Sequence, residues 1–176
     1  MQDILIVYDS KTGNTEKVAK ALAEAAGARC ILAKVDEAPS AEAFALIVAG
    51  FWVDRSAPNA KMKKYLSTLH NKKLVLFQTL GAEPESDHAV SALVNAGVAL
   101  NSDCKVLGAL SIRGAIDPAL IEMMRKMPAG GAHSASPESE ARWAAASTHP
   151  DAEDLAKARS FMQGFLAMYD KYLKIM

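Results

Sequence analysis

An excess of charge of either sign is missing from this chain of 176 residues: 20 Lys plus Arg stand against 20 Asp plus Glu, for a formal net charge of zero. Binders that hold nucleic acid mainly through phosphate contacts carry a basic surplus, and disordered acidic tails carry the reverse, so neither class fits. Cysteine is almost missing too. Cys30 and Cys104 are too few and too unpatterned for a disulfide framework or a four-ligand zinc site, which makes a reducing cytoplasm the expected location. Long apolar runs are absent: no window approaches the ~18 consecutive residues of a membrane span. The opening run Ile4 to Val7 has neither the basic flank nor the length of an export signal. Internal repeats and long like-charge runs are lacking as well.

What is present is the mixture of an ordinary globular domain, 51% hydrophobic and 23% charged. A chain of this length buries about 70% of its surface on folding, and residues 1–176 are expected to form a single domain. Short apolar runs recur at Ile4–Val7, Ile31–Ala33, Leu46–Ala49, Leu74–Phe77 and Val106–Leu110. None alternates apolar with polar, as suits strands buried on both faces of a parallel sheet. Between them lie helical stripes: Val18, Ala21, Leu22 and Ala25 closed by Gly27; Met62, Tyr65, Leu66 and Leu69 entered through Pro58; and Val90, Leu93 and Val94 between Ser86 and Gly97. Strand and helix alternate, which predicts right-handed crossovers and a doubly wound α/β sheet with helices on both faces. A last helix is predicted from near Asp151 to about Leu173, with Leu155, Ala158, Phe161, Met162, Phe165, Met168 and Tyr172 inward. Before it, an insertion at about 115–150 breaks the rhythm with a short helix, Pro118 to Lys126, and a loop-like stretch from Pro128 to Pro150.

The chemistry concentrates where the first strand ends. Tyr8 is followed by Asp9-Ser10-Lys11-Thr12-Gly13-Asn14-Thr15, and the first helical stripe begins there. Free N–H groups and the positive end of a helix dipole make a ready phosphate site. Ser10, Thr12 and Thr15 add hydroxyls, and Gly13 lets the backbone wrap closely. Neither GxxxxGK[ST] nor GxGxxG occurs. A loop of hydroxyls and amides, with Lys11 the one cation near it, suits a monophosphate.

Ser10-Lys11-Thr12-Gly13-Asn14-Thr15 resembles the phosphate loop of the flavodoxin family, (S/T)-x-T-G-x-T, at every fixed position. The resemblance implies a five-stranded parallel sheet of order 2-1-3-4-5 with FMN at the carboxyl ends of the strands, its phosphate on Ser10, Lys11, Thr12, Gly13, Asn14 and Thr15. The family's second flavin loop corresponds to Gly50 to Pro58, where Phe51, Trp52, Val53 and Asp54 are the expected contacts and Trp52 the ring that stacks on the flavin. The third corresponds to Thr79, Leu80, Gly81 and Ala82, whose small residues let backbone amides approach the pyrimidine edge. This third loop lacks the aromatic that many flavodoxins place over the other flavin face. Trp143 in the insertion is either a lid over the ring or the core anchor of a short helix begun by Ser136-Pro137. Gly50-Phe51-Trp52-Val53-Asp54, Arg113-Gly114 and His149-Pro150-Asp151 resemble a flavodoxin-like subgroup of anaerobic bacteria, some members of which accompany reductases of open-chain tetrapyrroles.

Two functions compete. The first is an electron-transfer protein that passes reducing equivalents to or from a partner reductase or oxidoreductase. The second is an FMN-dependent oxidoreductase acting directly on a small acceptor such as a quinone, nitro compound or tetrapyrrole. A receiver-type signalling domain would need an acidic pair after the first strand, an Asp ending the third and a Lys ending the fifth; the chain offers Asp9 alone, Gly50 and Arg113. Cys104 reads as a small core or rim residue rather than a redox thiol, and His88, with no evident partner, as solvated surface.

Overall fold

Each of the five apolar runs becomes a strand in the computed structural model, which describes residues 2–128 and 134–174. They are β1 (Ile4–Tyr8), β2 (Cys30–Lys34), β3 (Leu46–Asp54), β5 (Lys73–Leu80) and β6 (Lys105–Arg113), all parallel; β4 (Ala57–Pro58) is a two-residue strand that folds back antiparallel on β3. The sheet order is β2-β1-β3-β5-β6. Counting the parallel strands alone, this is the expected 2-1-3-4-5. The chain leaves β1 in one direction to form β2 and in the other to form β3, so a crevice opens at the carboxyl ends of β1 and β3.

Six helices complete the described residues: α1 (Asn14–Ala26), α2 (Ala60–Ser67), α3 (Asp87–Val98), α4 (Pro118–Arg125), α5 (Pro137–Ala146) and α6 (Ala152–Leu173). Alternation along β1 assigns the layers. Ile4, Ile6 and Tyr8 pack with the buried faces of α1 and α6, while Leu5 and Val7 pack with α2 and α3. All five β1 residues are buried, and each fully buried Ile or Leu is worth about 1.5–3 kcal/mol, so the strands flanking the crevice are held most firmly. None of the helices among the described residues is long and apolar enough to cross a membrane.

Two helical stripes differ from expectation. In α3 the buried residues are Ala89, Ala92 and Ala96, whereas Val90 and Val94 are 54% and 58% exposed. The alanines let the helix lie close to the sheet, and the branched residues are left outside. In α6 the inward set is Ala158, Met162, Phe165, Leu166 and Tyr169, while Met168 and Tyr172 are exposed. The sheet ends at β6, so that flank of α6 has less to cover. The stretch expected to be loop-like from Pro128 to Pro150 contains α5, entered through a Ser136–Ser139 capping box; its residues 129–133 lie outside the described residues.

Candidate functional site

Caps locate the first part of the site. Four helices begin under a side chain that accepts from their first turn: Ser86 for α3, Asp117 for α4, Ser136 for α5 and Asp151 for α6. α2 has no such cap: its N-cap Asn59 donates through Nδ2 to Asp9, and its Oδ1 accepts nothing from the first turn. α1 has none either, and its N-cap is Gly13 at φ +91°, a left-handed conformation that glycine adopts without strain. The N–H groups of the first turn of α1 therefore point into the crevice without a side-chain acceptor.

The loop before α1 is tied from behind rather than across its mouth. The Gly13 N–H donates to Ser10 Oγ at 3.1 Å, which leaves the Ser10 hydroxyl proton to donate outward. Asn14 Nδ2 donates to Thr12 Oγ1 at 3.2 Å and to the Ala115 carbonyl at 2.8 Å. A Cβ at Gly114 would fall 2.9 Å from that amide nitrogen, so glycine is what admits Asn14 there. Thr15 is buried and shares a 2.8 Å hydrogen bond with Thr79 Oγ1 at the end of β5. Lys11 pairs with Asp117 at 2.9 Å and lies 5.8 Å from the centroid of the Trp52 ring. The Lys11 ammonium beside Asp117 holds that carboxyl below its ordinary range.

The second expected loop is a hairpin. β3 continues through Trp52 to Asp54, turns at Arg55 and Ser56, both at positive φ, and returns as β4, with Val53 opposite Pro58 and Asp54 opposite Ala57. Two consecutive positive φ values match the twist of paired strands. The tip is moored to α3: Asn95 Nδ2 donates to the Ser56 carbonyl at 2.6 Å, and the Ser56 hydroxyl meets His88 Nδ1 at 2.9 Å. His88 is exposed, but it has a partner.

Trp52 is half-buried at the base of this hairpin. Its indole N–H donates to Asp9 Oδ2 at 3.1 Å, and Asn59 Nδ2 donates to the same oxygen at 2.8 Å. Asp9, absent from the expected site, thus orients the one ring that faces the crevice from this side. A carboxylate directly after the first strand was its only sequence signal. Phe51 points the other way and is fully buried in the core against α2 and α3; its side chain is not brought to the crevice. Val53 is half-buried and Asp54 exposed. Gly50 is required by the sheet, since a Cβ there would meet the Phe77 ring at 1.9 Å.

In the third segment, Thr79 and Leu80 are the buried end of β5 rather than loop, and Gly81 and Ala82 follow half-buried. A Cβ on Gly81 would collide with Ile116 at 2.2 Å, so the chain passes tightly against the segment after β6. Trp143, 7% exposed, is a buried residue of α5. Of its two readings, the core anchor is the one that holds. Both cysteines are free, and burial pushes both thiols up, away from reactive thiolate character.

The flavodoxin-domain family model matches residues 5–163 of the chain. The flavodoxin-like domain-containing protein BilS of Clostridioides difficile is 26% identical over 172 residues, covering 92% of this chain and 95% of BilS. Flavodoxin 2 of Bacillus cereus shares the fold with a TM-score of 0.59 at 18% identity, over 94% of this chain and 99% of that one. A flavoprotein from Lactobacillus acidophilus, solved in complex with FMN, does so with a TM-score of 0.52 at 14% identity, over 63% of this chain and 93% of its own.

Proposed function

We propose that this chain, which belongs to the flavodoxin family, is a cytoplasmic electron carrier that passes reducing equivalents to or from a partner redox enzyme. Its cofactor is FMN. The observation that carries the reading is the start of α1, left without a side-chain cap behind a left-handed Gly13 and ringed by hydroxyls. That donor set matches a phosphate dianion.

In this reading Ser10, Lys11, Thr12, Gly13, Asn14 and Thr15 hold the phosphate, and Trp52, oriented by Asp9, lies against the ring. Thr79, Leu80, Gly81 and Ala82 bring backbone to its pyrimidine edge. Phe51, Val53 and Asp54 act through backbone and hairpin shape. Bound FMN supplies reversible electron acceptance. The protein excludes water from one ring face with the indole, and the Asp9 carboxylate lies on that side as a fixed negative charge, which opposes further negative charge nearby. Zero net charge makes docking depend on shape and apolar contact near Trp52 more than on long-range steering, so its rate should respond weakly to salt.

One observation favours the alternative, direct oxidoreduction of a small acceptor: Thr79 to Ala82 contain no aromatic, so nothing in that segment covers the second ring face. Stopped-flow mixing with NAD(P)H separates the two. Slow bleaching of the flavin, with fast exchange to a partner reductase, is expected for the carrier; rapid direct bleaching would establish the enzyme. The loop assignment is tested by the Thr12→Ala, Thr15→Ala double variant, expected to lose the two visible flavin peaks while keeping its far-ultraviolet circular dichroism. Undiminished FMN binding by the folded variant would sink the assignment.

A further inference from the structure

A cavity of about 350 Å³ lies behind the phosphate loop, between it, the segment after β6 and the helices of the insertion. Ile116, Pro118, Ile121 and Trp143 supply its apolar walls, and its polar lining comes from Thr12, Asn14 and Lys17 on one side and Ser147, Thr148 and His149 on the other. Asn14 is the partition. Its amide is fastened to the Ala115 carbonyl and packed against Gly114; Thr12 and Asn14 border both spaces, while Ser10, Thr15, Trp52 and Thr79 take no part in the cavity lining. We infer that this cavity is a second ligand site, separate from the flavin crevice, for a flat aromatic molecule carrying one anionic group such as a carboxylate or sulfonate.

Charge, shape and size each narrow the occupant. Among the described residues, no acidic side chain lines the cavity. Lys17 is exposed and makes no ion pair among the described residues, so its ammonium is free to meet an anion at the cavity edge. His149 is fixed in place because its Nδ1 lies 2.5 Å from Asp154 Oδ2. Trp143 lines the cavity, and contact with an indole favours an aromatic partner over a branched aliphatic one. The volume sits near the lower end of small-molecule pockets, which run from about 300 to 1,000 Å³, and so admits roughly two fused rings. The insertion that breaks the strand-helix rhythm supplies most of these walls, and this gives that segment a use that holding FMN does not.

The test uses FMN-loaded protein and 2-naphthalenesulfonate as the probe, followed by titration calorimetry and flavin absorbance. One equivalent is expected to bind with the flavin retained, and neutral 2-naphthol about tenfold more weakly. Lys17→Glu reverses an exposed charge and should weaken the sulfonate about tenfold without changing naphthol. Ile121→Trp fills the cavity and should abolish both, with FMN affinity unchanged. The inference is overturned if no sulfonate binds, if it displaces FMN, or if both variants bind it like the parent. The separateness of the site rests on the phosphate-loop reading. Loss of FMN from the Thr12, Thr15 double variant tests that reading independently of any probe.

Discussion

The phosphate loop and the Trp52 hairpin stand on either side of one crevice and are built on opposite principles. The loop takes its shape from short-range contacts, Ser10 with Gly13 and Thr12 with Asn14, and helix α1 contributes its uncapped N-terminus; only its backing, through Asn14 and Thr15, is long-range. The hairpin is long-range. Asp9 holds Trp52 and Asn59 across 43 and 50 residues, and α3 holds the turn at Ser56. The difference teaches that, in the proposed reading, the charged end of the ligand would be met by local backbone geometry, while the flat end would be met by a side chain that only the finished fold can aim.

The strongest way to break this contrast is Asp9→Ala. Removing the shared acceptor leaves the Trp52 and Asn59 donors unpaired, at a cost of about 2–3 kcal/mol in stability; Asn59 already carries a buried Oδ1 without a partner. Riboflavin, which has no phosphate, should bind markedly more weakly while inorganic phosphate binds as before. An equal loss for both ligands in titration would show that the two regions act as one. Gly13→Ala should do the reverse. A Cβ at Gly13 meets nothing within 4 Å, but φ +91° strains any other residue, by about 1–2 kcal/mol. Phosphate affinity should fall, with Trp52 fluorescence unchanged. The smallest effect comes from the opposite end of the sheet. Arg29 bonds Asp3 and Asp170, and the guanidinium beside Asp3 depresses its carboxyl below the ordinary value of 3.8. A depressed folded pKa means that the stabilisation is complete above about pH 4 and drains as pH falls through the folded value. For this partly exposed pair it amounts to less than about 1 kcal/mol. Denaturation midpoints between pH 5 and 2 should decline slightly, with neither loop's spectrum changing ahead of unfolding.

The same contrast explains what was legible in the sequence. The five parallel strands, the Ser86 and Asp151 helix starts and the loop from Ser10 to Thr15 are written in neighbouring residues, and they appear where expected. The hairpin is not. Arg55 and Ser56 adopt positive φ, though neither is the Gly or Asn that normally announces such a turn, and tertiary moorings impose it. Asp9 shows no local pattern, because its partners lie in another strand and at the start of α2. In α3 the valine and alanine stripes are interleaved at the same helical spacing, so periodicity could not say which faced the sheet. The inward turn of the Phe51 side chain has the period-2 reason: within a strand that continues through the crevice, its neighbour Trp52 faces the other way.

Asn14 joins two stretches of chain that are 101 residues apart. On the ribosome the phosphate loop emerges almost at once, yet the carbonyl that fastens it is made only after nearly two thirds of the polypeptide has been translated. A nascent chain that stops short of Ala115 therefore carries the loop sequence without the carbonyl that fastens Asn14.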